Sequence, residues 1–291
     1  MVALAAVVGC KKDPIEPDNT PTGGVENAKN VFSVSAENRV RLAEGNLQYK
    51  ATTDTWRFAE NPWDMVGDGN LEASENYGGW IDCFAWGASG HEGQMPYSSG
   101  TSNSAYYHDG DIAGTQYDWG LRNAIQCGGT TYEAGTWRTL TKDEWEYMLF
   151  RRSNTTIAGV ENARFVMAAV ADQGGVILFP DQMVMPDGVV VQYPESINIA
   201  STYTYNPYTY DEWQKLSEAG CVFLPAAGCK LVGMNQMVSV GHLGCYWTSS
   251  YDVYDGTLGH TAAQLLFNPS SIEMGHSGIQ YPRSVRLAKN L

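Results

Sequence analysis

TLTKDEWEYMLF, residues 139–150, is the clearest helix in the chain and the best starting point for its fold class. Thr141 is a candidate N-cap, and Glu144 follows three residues later, which is the spacing of a capping box. Apolar residues at helical spacing should face a core, and here they are Leu140, Trp145 and Leu149. The segment therefore predicts one amphipathic helix in the middle of the chain.

Short apolar segments with period-two alternation surround this helix and indicate strands. Before it, residues 31–35 and 40–42 predict an opening hairpin, and residues 47–50 and 55–58 a second hairpin around a turn at 52–54. After it we expect strands at 165–170 and 175–180 around a turn at 172–174, and then at 222–225, 245–250, 262–267 and 284–287. A second helix is expected from about residue 212, capped by Thr209 or by Asp211.

The long region 67–135 is rich in glycine and asparagine and has little periodic structure, but it contains Trp80, Trp86 and Trp119. Loops of this length are usually functional or packed by their own aromatic side chains. The whole pattern predicts an α+β domain with short mixed strands, two helices and long ordered loops.

Composition limits the classes of function. The chain has 291 residues, of which 43% are apolar and 17% charged, as in globular proteins. Its formal net charge of -14 would repel a phosphate backbone, so we expect no nucleic-acid partner. The chain contains no run of eighteen apolar residues, so the sequence predicts no membrane-spanning helix.

The N-terminal segment MVALAAVVGC, residues 1–10, is apolar, has the length of a signal-peptide core and ends in Cys10. Its last four residues resemble a bacterial lipobox, in which the cysteine is lipidated; the alternative is a buried strand with a chance cysteine. Residues 11–30 have the composition of a flexible tether, and residues 31–291 are expected to form one domain. We therefore expect a protein anchored in the outer membrane through a lipid on Cys10 and exposed at the cell surface.

Three segments resemble a known family. Residues 137–147, WRTLTKDEWEY, are similar to the R-L-P-T-x-x-E-W-E-Y segment of the formylglycine-generating-enzyme-like family, which has a variant C-type lectin fold. Residues 246–251, YWTSSY, and 284–287, SVRL, resemble that family's W-T-S-S and terminal G-F-R blocks. Residues 45–49, 56–59 and 222–228 resemble segments of surface lipoproteins and fibre-tip proteins with this fold, including variable proteins of diversity-generating retroelements.

The resemblance implies a variant C-type-lectin-like domain that binds a protein or glycan ligand, in adhesion or recognition, through the segment after the Tyr-Trp-Thr-Ser-Ser strand. The stretch 252–283 also mixes tyrosine with short polar residues, as adaptable binding surfaces do, although a solvated loop is the alternative. The implied ligand-binding residues are Tyr251, Asp252, Tyr254, Asp255, His260, Gln264, Glu273, His276, Gln280 and Tyr281. Trp145, Trp247 and Arg286 are expected to be scaffold.

Two other classes of function stay open: a structural tip or accessory subunit of a surface fibre, and an enzyme of the same family with an unrecognised site. The cysteines beyond Cys10 lie in apolar surroundings, and the histidines lack metal-ligand spacing, so we expect no catalysis, metal or cofactor. Calcium could find oxygen ligands at Asp64, Asp68 and Asn70 or at Asp109 and Asp111, but neither set completes a calcium-loop signature.

Overall fold

The computed structural model describes residues 29–98, 110–193, 202–231 and 236–291. The predicted lipoprotein signal with Cys10, and the predicted tether up to residue 28, lie outside these residues. The described part of the chain is a mixed α+β structure in which sheets predominate. The α+β fold class predicted from the sequence is therefore confirmed.

The described residues contain seventeen strands and three α-helices. In chain order they are β1 (Phe32–Ser33), β2 (Arg39–Leu42), β3 (Leu47–Lys50), β4 (Thr55–Phe58), α1 (Trp119–Arg122), β5 (Ile125–Cys127), β6 (Thr130–Tyr132), β7 (Arg138–Thr139), α2 (Lys142–Glu146), β8 (Phe165–Val170), β9 (Gln173–Leu178), β10 (Pro207–Tyr208), α3 (Tyr210–Glu218), β11 (Val222–Pro225), β12 (Cys229–Lys230), β13 (Met237–Val238), β14 (Gly244–Asp255), β15 (Gly259–Asn268), β16 (Ser271–Gly278) and β17 (Leu287–Asn290).

Five sheets organise these strands. The last strand, β17, pairs with two strands from much earlier in the chain, since it lies between β2 and β7 in the order β1-β2-β17-β7. The other sheets have the orders β3-β4-β5-β6, β10-β8-β9-β11, β12-β13 and β14-β15-β16. Both predicted N-terminal hairpins are present as antiparallel pairs.

The capping boxes predicted from the sequence decide where two helices begin. Thr141 and Glu144 form the complete box at the start of α2, and Thr209 with Glu212 forms another at the start of α3. Of the two N-cap candidates in the sequence, Thr209 and Asp211, the cap of α3 is therefore Thr209. Helix α2 continues into a π-helical turn over Tyr147–Arg151.

Several predictions about the elements were wrong. The described residues hold three α-helices, because Asp118 caps the short α1 inside the region predicted to be loop. The turn between β8 and β9 is Ala171 and Asp172, which both have positive φ, whereas Gln173 already pairs in the ladder. The final strand begins at Leu287, so of the predicted strand 284–287 only its last residue is included.

Four of the tryptophans noted in the sequence lie in the hydrophobic core. Trp86 and Trp119, in the predicted ordered loop, are fully buried, as are Trp145 and Trp247. Arg286 is also buried and donates hydrogen bonds to the Ala43 and Phe223 carbonyls and to Asn46 Oδ1, at 2.8–2.9 Å. These bonds satisfy most of the donors of the guanidinium and connect residues 43–46, residue 223 and residue 286, which are far apart in the sequence.

Candidate ligand-binding face

The three sequence segments that carry the family resemblance meet in space. The Ser249 backbone N–H of β14 donates to the Leu140 carbonyl at 2.9 Å, and the Trp247 N–H donates to the Ser284 carbonyl at 3.0 Å. Ser250 Oγ accepts from the Lys142 N–H at 3.2 Å. Helix α2 is thereby fixed against β14, and the sheet that follows has a rigid base.

The sheet β14-β15-β16, called here the hairpin sheet, has two different faces because side chains alternate along each strand. Leu265 of β15 packs on one face in the core that includes Trp145, and Ala262 on the other face packs in the core that includes Trp247. Opposite Ala263 stands His276, and opposite Leu266 stands Glu273. His276 and Glu273 therefore project from opposite faces of β16.

A cluster of ionisable side chains, called here the Asp252 cluster, forms on the face of His276. Asp252 Oδ2 lies 3.2 Å from His276 Nδ1, and Asp252 Oδ1 lies 3.9 Å from Lys142 Nζ. The side chains of His276 and Lys142 are 44% and 38% exposed, so both remain accessible to a ligand. The arrangement offers a carboxylate and two nitrogen donors within one small polar patch.

Lys142 is the member of this cluster that sequence reasoning missed. It is the first residue of α2, and it is separated from Asp252 by more than a hundred residues. No local pattern indicates the contact, since it depends on how α2 docks against β14. The Lys142 N–H bond to Ser250 Oγ is the structural cause of this proximity.

Tyr251 and His260 form a second pair. The Tyr251 hydroxyl lies 3.1 Å from His260 Nδ1, and the Tyr251 ring packs against Trp86 with centroids 6.3 Å apart. Both side chains are half-buried. Their strand partners place them on the face of Ala262, so they do not join the Asp252 cluster.

Two of the implied site residues, Gln264 and Gln280, are buried. Gln264 donates to the His276 carbonyl at 3.1 Å and accepts from Arg283 Nε at 3.0 Å, and only 6% of it is exposed. Gln264 lies inside the structure as a hydrogen-bond partner of the buried Arg283 guanidinium.

The remaining implied residues lie at the ends of the hairpin sheet. Asp255 Oδ1 accepts the backbone N–H groups of Leu258 and Thr257, both at 2.7 Å, and these bonds lower the pKa of its carboxyl. It therefore orders the turn between β14 and β15. Tyr281, after β16, is half-buried, with the Arg283 guanidinium 5.9 Å from its ring centre. The side chain of Tyr254 lies outside the described residues.

The calcium candidates serve as hydrogen-bond acceptors within loops. Asp64 accepts from the Asn61 N–H, Asp68 from the Met237 N–H and Asp111 from the Tyr251 N–H. Asn70 is buried and hydrogen-bonded to Asp82 at 2.7 Å, and Asp109 lies outside the described residues. Within the described ranges, no group of three or more His, Cys, Asp or Glu side chains could hold a metal ion.

The thiols are enclosed. Cys83, Cys221, Cys229 and Cys245 are free and buried. Burial raises the pKa of Cys221 and of Cys83, which keeps both thiols protonated. A hydrogen bond from the Cys245 thiol lowers the pKa of Cys229. Their burial supports the prediction that these four cysteines are structural.

Comparison with known proteins adds no assignment: no protein-family model, curated protein or solved structure matches the chain. In the part of the chain that the structure describes, no helix has the length and apolar character needed to cross a membrane.

Proposed function

We propose that this protein is a non-catalytic surface lipoprotein that binds a protein or glycan ligand through the exposed end of the hairpin sheet. The observation that carries the proposal is the Asp252 cluster, where a carboxylate, an imidazole and an ammonium group converge at half-exposed positions. Polar groups of this kind, placed on two strands and a helix, fix the orientation of a ligand. Val253, next to Asp252, adds an exposed apolar side chain, 48% accessible.

We also propose the variant C-type-lectin-like fold as the finer class of this α+β domain. The support is that residues 137–147, 246–251 and 284–287, which carry the resemblance, form one hydrogen-bonded unit. Within this proposal the recognition surface is narrower than the sequence implied. It contains Asp252 and His276, gains Lys142, and excludes the buried Gln264 and the oppositely directed Glu273.

The binding proposal is tested on an array of glycans and surface proteins with the full chain and three variants. We expect Asp252→Ala and His276→Ala to reduce binding about tenfold or more, since each removes one hydrogen-bonding group of the cluster. Glu273→Ala is the matched control, because it removes a charge from the same strand but from the other face. Equal binding by all variants would refute the assignment of this surface.

The anchoring proposal needs its own experiment. Cells expressing the protein are labelled with an alkyne fatty acid, and the labelled protein is located by fractionation and by protease treatment of intact cells. We expect label on the wild type, its loss in Cys10→Ala, and cleavage by external protease. Unlabelled wild-type protein would overturn the lipidation of Cys10 and leave the binding proposal intact.

A further inference from the structure

The thiols of Cys229 and Cys245 lie side by side in two neighbouring strands. Gly228 and Gly244 form a parallel bridge, and the Gly228 N–H donates to the Leu243 carbonyl at 2.7 Å. Cys229 follows the first glycine and begins β12, and Cys245 follows the second glycine in β14. Strands that pair in parallel advance in step along the chain, so the two cysteines occupy matched positions.

The spacing of these two positions suits a covalent bond. Neighbouring strands lie about 5 Å apart, and side chains at matched positions point to the same side of the pair. A disulfide forms where the Cα atoms are about 4.4–6.8 Å apart and the Cβ vectors do not diverge. The structure shows both thiols free, which is the reduced state of the pair, and hydrogen-bonded to each other. Bond formation therefore requires no change of strand register.

A buried cation beside the pair favours the reactive form of one thiol. Arg283 is only 5% exposed, and its guanidinium donates to the carbonyl of Lys230, the residue after Cys229, at 3.3 Å. The hydrogen bond from Cys245 lowers the pKa of Cys229, and the positive charge of Arg283 lowers it further. The thiolate is the form of cysteine that attacks a disulfide.

The other two free thiols have different neighbours. Cys83 Sγ lies 3.9 Å from Ser284 Oγ, and Cys221 Sγ lies 3.8 Å from Met183 Sδ. Burial raises the pKa of both thiols, which keeps them protonated. Cys83 also interacts electrostatically with Cys229, so it is the competing partner that an experiment must distinguish.

We propose that Cys229 and Cys245 are an oxidation site that closes into a disulfide between β12 and β14. The oxidant is a small-molecule disulfide such as oxidised glutathione. The Cys229 thiolate attacks one of its sulfur atoms and expels a thiolate, which takes up a proton. Cys245 then loses its proton, and its sulfur attacks the Cys229 sulfur of the mixed disulfide and expels the second thiolate. Two cysteine thiols are oxidised, and one disulfide is reduced to two thiols.

The disulfide would hold the β12–β13 hairpin against β14, the first strand of the hairpin sheet. Because both thiols are buried in the folded protein, the exchange takes place while the chain folds. The bond closes a loop over residues 229–245 and so restricts the unfolded chain, which raises the stability of the oxidised protein. An exported chain folds under oxidising conditions, so the biological setting rests on the proposed export, but the bond itself does not.

Refolding of the full chain tests the proposal. The protein is unfolded in urea with a reductant, refolded in a mixture of reduced and oxidised glutathione, and digested with trypsin without reduction. Trypsin produces a peptide 216–230, which carries Cys221 and Cys229, and a peptide 231–283, which carries Cys245. We expect mass spectrometry to detect these two peptides joined by a disulfide. Protein kept in the reductant should retain all four buried thiols and give no joined peptides.

Two variants identify the partner of Cys245. Cys229→Ser should abolish the joined peptides. Cys221→Ser should retain them, and it is the matched control because Cys221 lies in the same peptide and is similarly buried. The melting temperature of the oxidised protein minus that of the reduced protein should be larger by roughly 5 °C in the wild type and in Cys221→Ser than in Cys229→Ser.

Three results would overturn the proposal. The first is the absence of joined peptides in the oxidised wild type, the second is their persistence in Cys229→Ser, and the third is a bond from Cys245 to the peptide that carries Cys83. If Cys229→Ser does not fold, the Cys221→Ser digest decides, because peptide 216–230 then contains only Cys229. None of these outcomes bears on the Asp252 cluster or on the lipidation of Cys10.

Discussion

Substitution of Asp118 by asparagine should change how the stability of the fold depends on pH. Asp118 is fully buried and links the start of α1 to β7, because its carboxyl accepts the Gly120 N–H at 3.1 Å, the Thr139 N–H at 2.9 Å and the Thr139 hydroxyl at 3.0 Å. Burial raises the pKa of this carboxyl to about 6, against the lowering influence of these three donors. An asparagine side chain cannot be ionised, so Asp118→Asn removes this titration while keeping the shape of the side chain.

The sign and size of the effect follow from the pKa of Asp118 in the folded protein and its pKa in the unfolded protein. The folded protein holds the Asp118 proton up to a pH of about 6, while the ordinary pKa of an aspartate is 3.8. Between these values the folded state binds more protons, so the stabilising contribution is complete below the lower pKa and is lost as the pH rises through the higher one. The gap corresponds to roughly 3 kcal/mol in the free energy of unfolding.

Urea unfolding followed by tryptophan fluorescence measures this change. The free energy of unfolding of the wild type minus that of Asp118→Asn should fall by roughly 3 kcal/mol between about pH 3 and pH 7. The acceptor lost in the variant adds about 1–3 kcal/mol to this difference in the free energy of unfolding at every pH, so it does not change the dependence on pH. Asp143→Asn, at an exposed aspartate in α2, is the control for removing one negative charge. A flat difference would show that the three donors balance the effect of burial, and a difference that rises with pH would show that they outweigh it; either result would contradict the prediction.

Three further predictions concern the core, a helix start and the thiols. Trp247→Ala should lower the free energy of unfolding, measured by urea titration, by about 3–5 kcal/mol. The reason is that the ring is buried and its Nε1 donates to the Phe84 carbonyl at 2.8 Å. A loss below about 1 kcal/mol would contradict its scaffold role. Thr141→Ala should cost about 1 kcal/mol through loss of the α2 cap, measured in the same way, and an unchanged midpoint would argue against the capping box. The four buried thiols should resist iodoacetamide in the folded protein and react in urea, as judged by mass spectrometry; fast labelling of the native protein would refute their enclosure at Cys83, Cys221, Cys229 and Cys245.

The local elements of the fold could be predicted from the sequence because their signals are local. Capping boxes at Thr141 and Thr209 and the alternation in β3 and β4 depend on residues a few positions apart. The order of strands in the sheets was not predictable in this way. The pairing of β17 with both β2 and β7 joins the two ends of the described domain, and no spacing in the sequence encodes it.

The candidate site was predictable only in outline. Period-two alternation separates Glu273 from His276, but only if β16 is recognised as a strand, and its glycine and serine content conceals it. The burial of Gln264 could not be foreseen either, because it depends on Arg283, nineteen residues further along the chain. Polar residues in a mixed segment look alike in sequence, and only the ladder register divides them into inner and outer positions.

The separation between scaffold and binding surface follows from how the members of the Asp252 cluster are held. Lys142 follows the N-cap of α2, and the cap is formed by Thr141 and Glu144 rather than by the lysine side chain. His276 is paired with Ala263 through the backbone. Asp252 lies two residues after Ser250, whose hydroxyl accepts a hydrogen bond from α2. In each case the neighbouring residue or the backbone carries the structural bond, and the ionisable side chain is left to solvent. Substitution of these side chains should therefore change recognition without loss of fold, whereas substitution of Trp247 or Arg286 removes the base on which the surface is built.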